Sequence, residues 1–130
     1  VLVVCRFTVP ESSAAEFTAR ASRALELLTA ARGCVRGVLG RSTETSGRPG
    51  QRWVLTVEFE SVAAYRRAMS PFEVREHVIP LLSEADTTEE SGYEVVITAA
   101  GGVAASRTSL VAADAETVRP GEGAGPSAAR

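Results

Sequence analysis

RWVLTVEFESVAAYRRAM, residues 52–69, carries two periodicities back to back. In RWVLTVEFE the residues Trp53, Leu55, Val57 and Phe59 alternate with Arg52, Thr56, Glu58 and Glu60. That period of two is the pattern of a strand with one covered face, and Val54 is its single apolar exception. Ser61 then stands where a helix cap belongs, and VAAYRRAM opens a helix. A strand that feeds straight into a helix needs partners on both sides, and the flanking sequence supplies them.

Downstream, SPFEVREHVIP (70–80) restarts the helix. Ser70 is expected as its cap, with Pro71 at the first helical position and Glu73 completing a capping box. Pro80 lacks the N–H that an interior turn requires, so a kink or stop is expected there. SGYEVVIT (91–98) reads as a last strand. Upstream, VLVVCRFT (1–8) is a strand apolar on both faces. ESSAAEFTARASRALELLTAARG follows with helical spacing, placing Phe17, Ala21, Ala24, Leu25 and Leu28 on one stripe. Ser13 and Glu16 have capping-box spacing, and Gly33 fits a left-handed stop. CVRGVLGRS (34–42) is a further strand, and TETSGRPGQ is a turn-rich loop.

The order is therefore β-α-β-β-α-β. The fold class is α+β and ferredoxin-like, a four-stranded antiparallel sheet with two helices on one face. The helices leave the second sheet face uncovered, although strand 1 offers Leu2 and Val4 there. A second copy of the sheet is the economical cover, so a homodimer through the sheet face, a dimeric α+β barrel, is expected. Residues 1–98 form the expected domain. The Ala-, Gly- and Ser-rich residues 99–130 form a C-terminal tail expected to be flexible, with TSLVAADAETV as a segment that could dock.

Composition narrows the function. The 130 residues carry a formal net charge of −2 and no basic arm, which argues against nucleic acid or an anionic membrane as partner. All 14 basic residues are arginine, which excludes a Schiff-base lysine. Cys5 and Cys34 read as small buried hydrophobes in a reducing compartment. No apolar run reaches the ~20 residues of a membrane span, and the amino end shows no secretion signal, so a soluble cytoplasmic protein is expected. The chain begins at Val1, which leaves its true start open. No G-x-G-x-x-G, P-loop or G-x-S-x-G is present, and one histidine without a Cys-x-x-Cys gives no transition-metal cluster. No cofactor and no metal are expected. Glu58 and Glu60 read as solvated charges balanced by Arg6 and Arg52.

What remains is an apolar pocket under the helices. Its expected walls are Cys5, Trp53, Phe59, Met69 and Phe72, and its polar groups are His77 and Tyr65.

The run RWVLTVEFESVAAYRRAMSPFEVREHVIPLL, preceded by VLVVCRFTVP and AEFTARASRALELLTAARGC, resembles the antibiotic biosynthesis monooxygenase family of dimeric α+β barrels over about residues 1–98. The resemblance implies a pocket between helices and sheet within each subunit. In the haem-degrading branch of that family a strand-1 Asn, a strand-3 Trp and a helix-2 His share the pocket. Cys5, Phe59 and His77 stand at these places, and the chain has no asparagine at all, so haem degradation is not implied. The cofactor-independent branch is, with a small aromatic or polyketide-type substrate of secondary metabolism. His77 would accept the proton, since histidine titrates near neutrality, while Tyr65 and Trp53 would orient the ring. Two other readings of the same fold are a non-catalytic dimeric small-molecule binder or partner protein, and a polyketide isomerase or cyclase.

Overall fold

A computed structural model of the chain describes residues 1–44, 47 and 49–107. Strand β1 (Leu2–Val9) leads through a short 3-10 turn (Glu11–Ser13) into helix α1 (Ala14–Thr29). Strands β2 (Cys34–Arg41) and β3 (Gln51–Phe59) follow, then three short helices, α2 (Val62–Ala68), α3 (Phe72–His77) and α4 (Ile79–Leu82). Strand β4 (Gly92–Tyr93) completes a four-stranded antiparallel sheet of order β2-β3-β1-β4. The expected α+β, ferredoxin-like plan is the plan of the molecule.

The alternation over residues 52–60 fixes the register. Cys5 lies opposite Leu55, Phe7 opposite Trp53, and Val3 opposite Val57. These residues, with Val9 and Phe59, turn to the helix side and are buried. From α1 come Phe17, Ala21, Ala24 and Leu28; from the later helices come Ala64, Ala68, Val74, Val78 and Leu81. Each large side chain removed from water there contributes about 1.5–3 kcal/mol, so this single layer accounts for most of the fold's cohesion. No charged or polar residue is buried among the described residues.

Two junctions set the helix layer on the sheet. Gly33 closes α1 at φ 89°, and a β-carbon there would stand 2.7 Å from Ala64 Cβ. Only glycine tolerates both that backbone and that approach, so α2 can lie against the end of α1. At the other junction the Ser61 hydroxyl accepts the Ala64 N–H at 3.0 Å, the expected cap. The last helix breaks at Val78, between α3 and the four-residue α4, and Pro80 stands in the first turn of α4, where its missing N–H costs nothing.

Four expectations are corrected. Neither capping box forms: Ser13 makes no side-chain cap bond, and the cap of α3 is Pro71 instead of Ser70. Ser70 Oγ donates instead to the Arg67 carbonyl at 3.0 Å, which closes the preceding turn. Ser13 does stand at the N-cap of α1, but its backbone (φ −104°, ψ 2°) still belongs to the 3-10 turn that precedes it, whereas at α3 Pro71, with φ −60°, moves the cap one residue past Ser70. The strand expected over 91–98 is cut to two residues. Beyond Tyr93 the chain leaves the sheet, and β5 (Ile97–Ala100) pairs antiparallel with β6 (Val103–Ser106) as a separate hairpin turning on Gly101 and Gly102. Finally, Arg6 and Arg52 pair with Glu89 and Asp86, each at 3.8 Å, and not with Glu58 or Glu60. The segment TSLVAADAETV lies outside the described residues.

Candidate functional site

The helix–sheet layer holds an aromatic chain. Phe7 packs on Phe17 with ring centroids 5.0 Å apart, and Phe17 meets Trp53 edge-on at 5.4 Å. Arg41 covers the Trp53 ring at 5.5 Å. Further along β3, Tyr65 of α2 stands edge-on to Phe59 at 5.5 Å. Such pairs favour edge contacts because the positive ring edge meets the negative ring face.

Two polar groups in this layer lack partners. The Trp53 indole N–H is buried and has no acceptor among the described residues. Leaving a donor unpaired in this way costs about 1–3 kcal/mol, so its persistence calls for a reason. The half-buried Tyr65 hydroxyl likewise makes no hydrogen bond among the described residues. Burial, and secondarily the neighbouring Cys5, push the Tyr65 hydroxyl above its ordinary value. Burial pushes the Cys5 thiol up as well, with Arg6 opposing. Tyr65 is therefore held as a neutral O–H donor and Cys5 as a thiol, which makes Cys5 a wall and not a nucleophile.

The residues expected from sequence divide into two groups. Cys5, Trp53, Phe59, Tyr65 and Met69 all belong to or pack against the helix–sheet core. Phe72 does not: it is 68% exposed, because α3 begins at Phe72 and buries only Val74, turning its first residue to the surface. His77 is also exposed, on the outer side of the helices. It contacts Glu76 at 3.5 Å and lines a groove of about 290 Å³ with Ala19, Arg20, Arg23, Glu76 and Pro80. Of the groove's lining residues, Arg20 holds Glu84 through two bonds of 2.8 and 3.2 Å, and Arg23 reaches Glu73 at 3.4 Å. No hydrogen bond, ion pair or ring contact joins His77 to Tyr65 among the described residues.

A larger cleft, of about 870 Å³, lies at the polar end of the sheet between Ser42, Glu44, Gly50 and Gln51 on one side and residues 86–89 on the other. Glu11, Glu44, Asp86 and Glu89 dominate it, and it offers no apolar wall for a ring. The sequence already names Tyr65 and Trp53 together as groups to orient a ring. The alternation placed Trp53 on the covered face, but only the fold shows that nothing accepts from its N–H.

Among known proteins, the family model for antibiotic biosynthesis monooxygenases matches residues 1–78. No curated protein matches the chain. Among solved structures the chain is similar to SnoaB, a cofactor-independent oxygenase from Streptomyces nogalater. The two share 26% identity and a TM-score of 0.54, over 68% of this chain and 84% of that one. It is also similar to a conserved protein from Methanosarcina mazei, at 19% identity and a TM-score of 0.54, over 68% and 82%; that likeness bears on the fold alone. The aromatic layer under α1 and α2, the β2-β3-β1-β4 sheet and the match over 1–78 agree: the chain belongs to the antibiotic biosynthesis monooxygenase family.

Proposed function

We propose that this protein is a cofactor-independent monooxygenase acting on a small aromatic, polyketide-type substrate. The observation that carries the reading is the unpartnered Tyr65 O–H in an otherwise apolar helix–sheet layer, with the unpartnered Trp53 N–H toward the other end of β3. A few polar groups in apolar surroundings are what orient a ring substrate. Family membership supports the reaction class.

The chemistry suits the chain. An anthrone-type substrate, a weak acid at its central CH2, loses that proton to solvent hydroxide to give an electron-rich anion and water, and Tyr65 donates a hydrogen bond to the anion's oxygen. The anion passes an electron to dioxygen; recombination forms the C–O bond, and loss of water leaves a carbonyl. Converting one CH2 to C=O supplies all four electrons that reduce O2 to one product oxygen and one water, so no external reductant is needed. A neutral donor in a dry site favours the anion, and such donors contribute about 10²–10³ in rate where measured. We assign the chemistry to Tyr65, with Cys5, Trp53, Phe59 and Met69 as walls. His77 faces the outer groove and is not required.

The functional unit in this reading is residues 1–98, working in the cytoplasm as a two-fold homodimer. The open sheet face supports the dimer: Leu2, Val4 and Val38 lie on it, and Val38 is 47% exposed. Beyond it the hairpin carries Ile97 and Val103, 62% and 69% exposed. An isolated two-stranded hairpin is marginal in water, so the second copy is its natural cover too.

A second reading, a non-catalytic binder, is favoured by how completely Phe7, Leu55, Val57 and Phe59 fill the layer. Oxygen-electrode measurements with anthrone and dihydroxyanthrone separate the two. Stoichiometric O2 uptake that depends on Tyr65 supports the oxygenase, and binding without uptake supports the binder.

A further inference from the structure

We propose that α2 is a hinged lid over the Tyr65 layer, and that a flat, uncharged fused-ring phenol enters the seat it uncovers, between Tyr65 on the lid and Phe59 and Cys5 on the sheet. The inference rests on the reading of that layer as the substrate site. Phe7, Leu55, Val57 and Phe59 fill the layer beneath the helices, each at most 2% exposed. An interior packed in this way holds no space for a ring. Admission therefore requires that an element above the sheet move.

The helices are held unequally. Helix α1 buries Phe17, Ala21, Ala24 and Leu28, and the α3–α4 segment buries Val74, Val78 and Leu81. Arg20–Glu84 at 2.8 Å and Arg23–Glu73 at 3.4 Å tie these two to each other. Helix α2 buries only Ala64 and Ala68, whose side chains are single methyl groups, and leaves Tyr65 half-buried. Its Arg66 and Arg67 are exposed and meet no carboxylate among the described residues. Two turns of helix do not persist in water by propensity alone, and low apolar burial marks the segments that open locally. Of the three, α2 is the one that opens most readily.

The chain on either side of α2 is anchored. Before it, the Glu60 N–H donates to the Gly33 carbonyl at 2.8 Å; after it, Val74 is buried and Glu73 meets Arg23. Between those anchors and the helix stand two residues of extended backbone, Ser61 (φ −157°, ψ 166°) and Pro71 (φ −60°, ψ 151°). Element ends of this kind absorb the rotation of a hinge. The Ser61 hydroxyl, accepting the Ala64 N–H at 3.0 Å, holds the first turn of the lid. An outward swing carries Tyr65 off the Phe59 ring, now 5.5 Å away, and off the neighbouring Cys5 thiol. A flat ring then rests on Phe59 and accepts the Tyr65 O–H at its oxygen.

The test uses Cys5 as reporter. In the full chain carrying Cys34→Ser, Cys5 is the single thiol, and its rate of labelling by iodoacetamide at mildly alkaline pH measures opening of the lid. The rate is expected to be nearly insensitive to low urea, because a local opening exposes little surface. Ser61→Ala, which deletes the cap, is expected to raise it about threefold or more. With 2-naphthol free at about four times its Kd, the rate is expected to fall about fivefold, since only the unoccupied lid admits the reagent. Circular dichroism checks folding, and if Ser61→Ala does not fold the urea and 2-naphthol arms decide. A rate that climbs with urea as steeply as global unfolding, an unchanged rate in folded Ser61→Ala, or no protection by 2-naphthol would overturn the proposal. Protection by 2-naphthol without anthrone-dependent O2 uptake supports the lid and removes the oxygenase reading, so the two fail separately.

Discussion

The Tyr65 ring stands edge-on to Phe59, with centroids 5.5 Å apart and planes at 65°, and its hydroxyl contributes no bond to that packing. Stability and chemistry can therefore be separated at one residue. Tyr65→Phe keeps the ring contact and deletes only an unpaired hydroxyl, so the free energy of unfolding is expected to change by less than about 1 kcal/mol. Urea denaturation followed by circular dichroism checks this. A loss above about 2 kcal/mol would mean that the hydroxyl is a structural group.

Tyr65 and Cys5 together predict an alkaline limit. Both are neutral when protonated, and burial raises both. A group with a raised folded pKa contributes stability in full below its unfolded value. The contribution is lost as pH rises through the folded value. On their account stability should be level from pH 7 to about 9 and decline above about 10, in the range where these groups ordinarily ionise. Urea midpoints at pH 8, 9.5 and 10.5 measure this, and Tyr65→Phe should shallow the decline.

Trp53→Phe weighs two opposed effects. The change loses part of a ring that touches Phe17 and Arg41, but it also removes an unpaired buried donor whose cost is about 1–3 kcal/mol. The net is expected to lie within about 1 kcal/mol of wild type, far from the roughly 3–5 kcal/mol of a Trp→Ala truncation. Denaturation of both variants, again by circular dichroism, checks the contrast.

Val38→Arg should act on assembly and not on the fold. Val38 lies on the open face in the row of Val4 and Thr56, 47% exposed. A charge there costs the isolated chain little and opposes a facing copy of the same sheet. Light scattering after size exclusion should report twice the 13.6 kDa chain mass for wild type, and a single chain mass for the variant. A monomeric wild type would remove the dimer from the account.

The sheet and core were legible because their signals are repeated. Alternation over Arg52–Glu60 fixed four inward residues at once, and all four are buried; Gly33 announced itself through a backbone that only it accepts. Features resting on one local choice were less legible. Ser13 ends a 3-10 turn and Ser70 sits beside Pro71, which resets the start of α3, so neither hydroxyl caps. Phe72 looked like a wall, yet its position at the first turn of α3 puts it outside. EVVIT reads as strand, and part of it is, but pairing with VAAS replaces pairing with β1. His77 stood out as the lone histidine; being rare said nothing about which side of the helix it faces.

The most direct measurement of the central claim is the rate of anthrone-dependent O2 uptake in wild type, Tyr65→Phe and His77→Ala under one set of conditions. The account predicts a wild-type rate above the uncatalysed background, a fall of about tenfold to a hundredfold in Tyr65→Phe, and a rate within about twofold of wild type in His77→Ala, since no step is assigned to it. An unchanged rate in Tyr65→Phe with loss in His77→Ala would contradict it and move the chemistry to the outer groove.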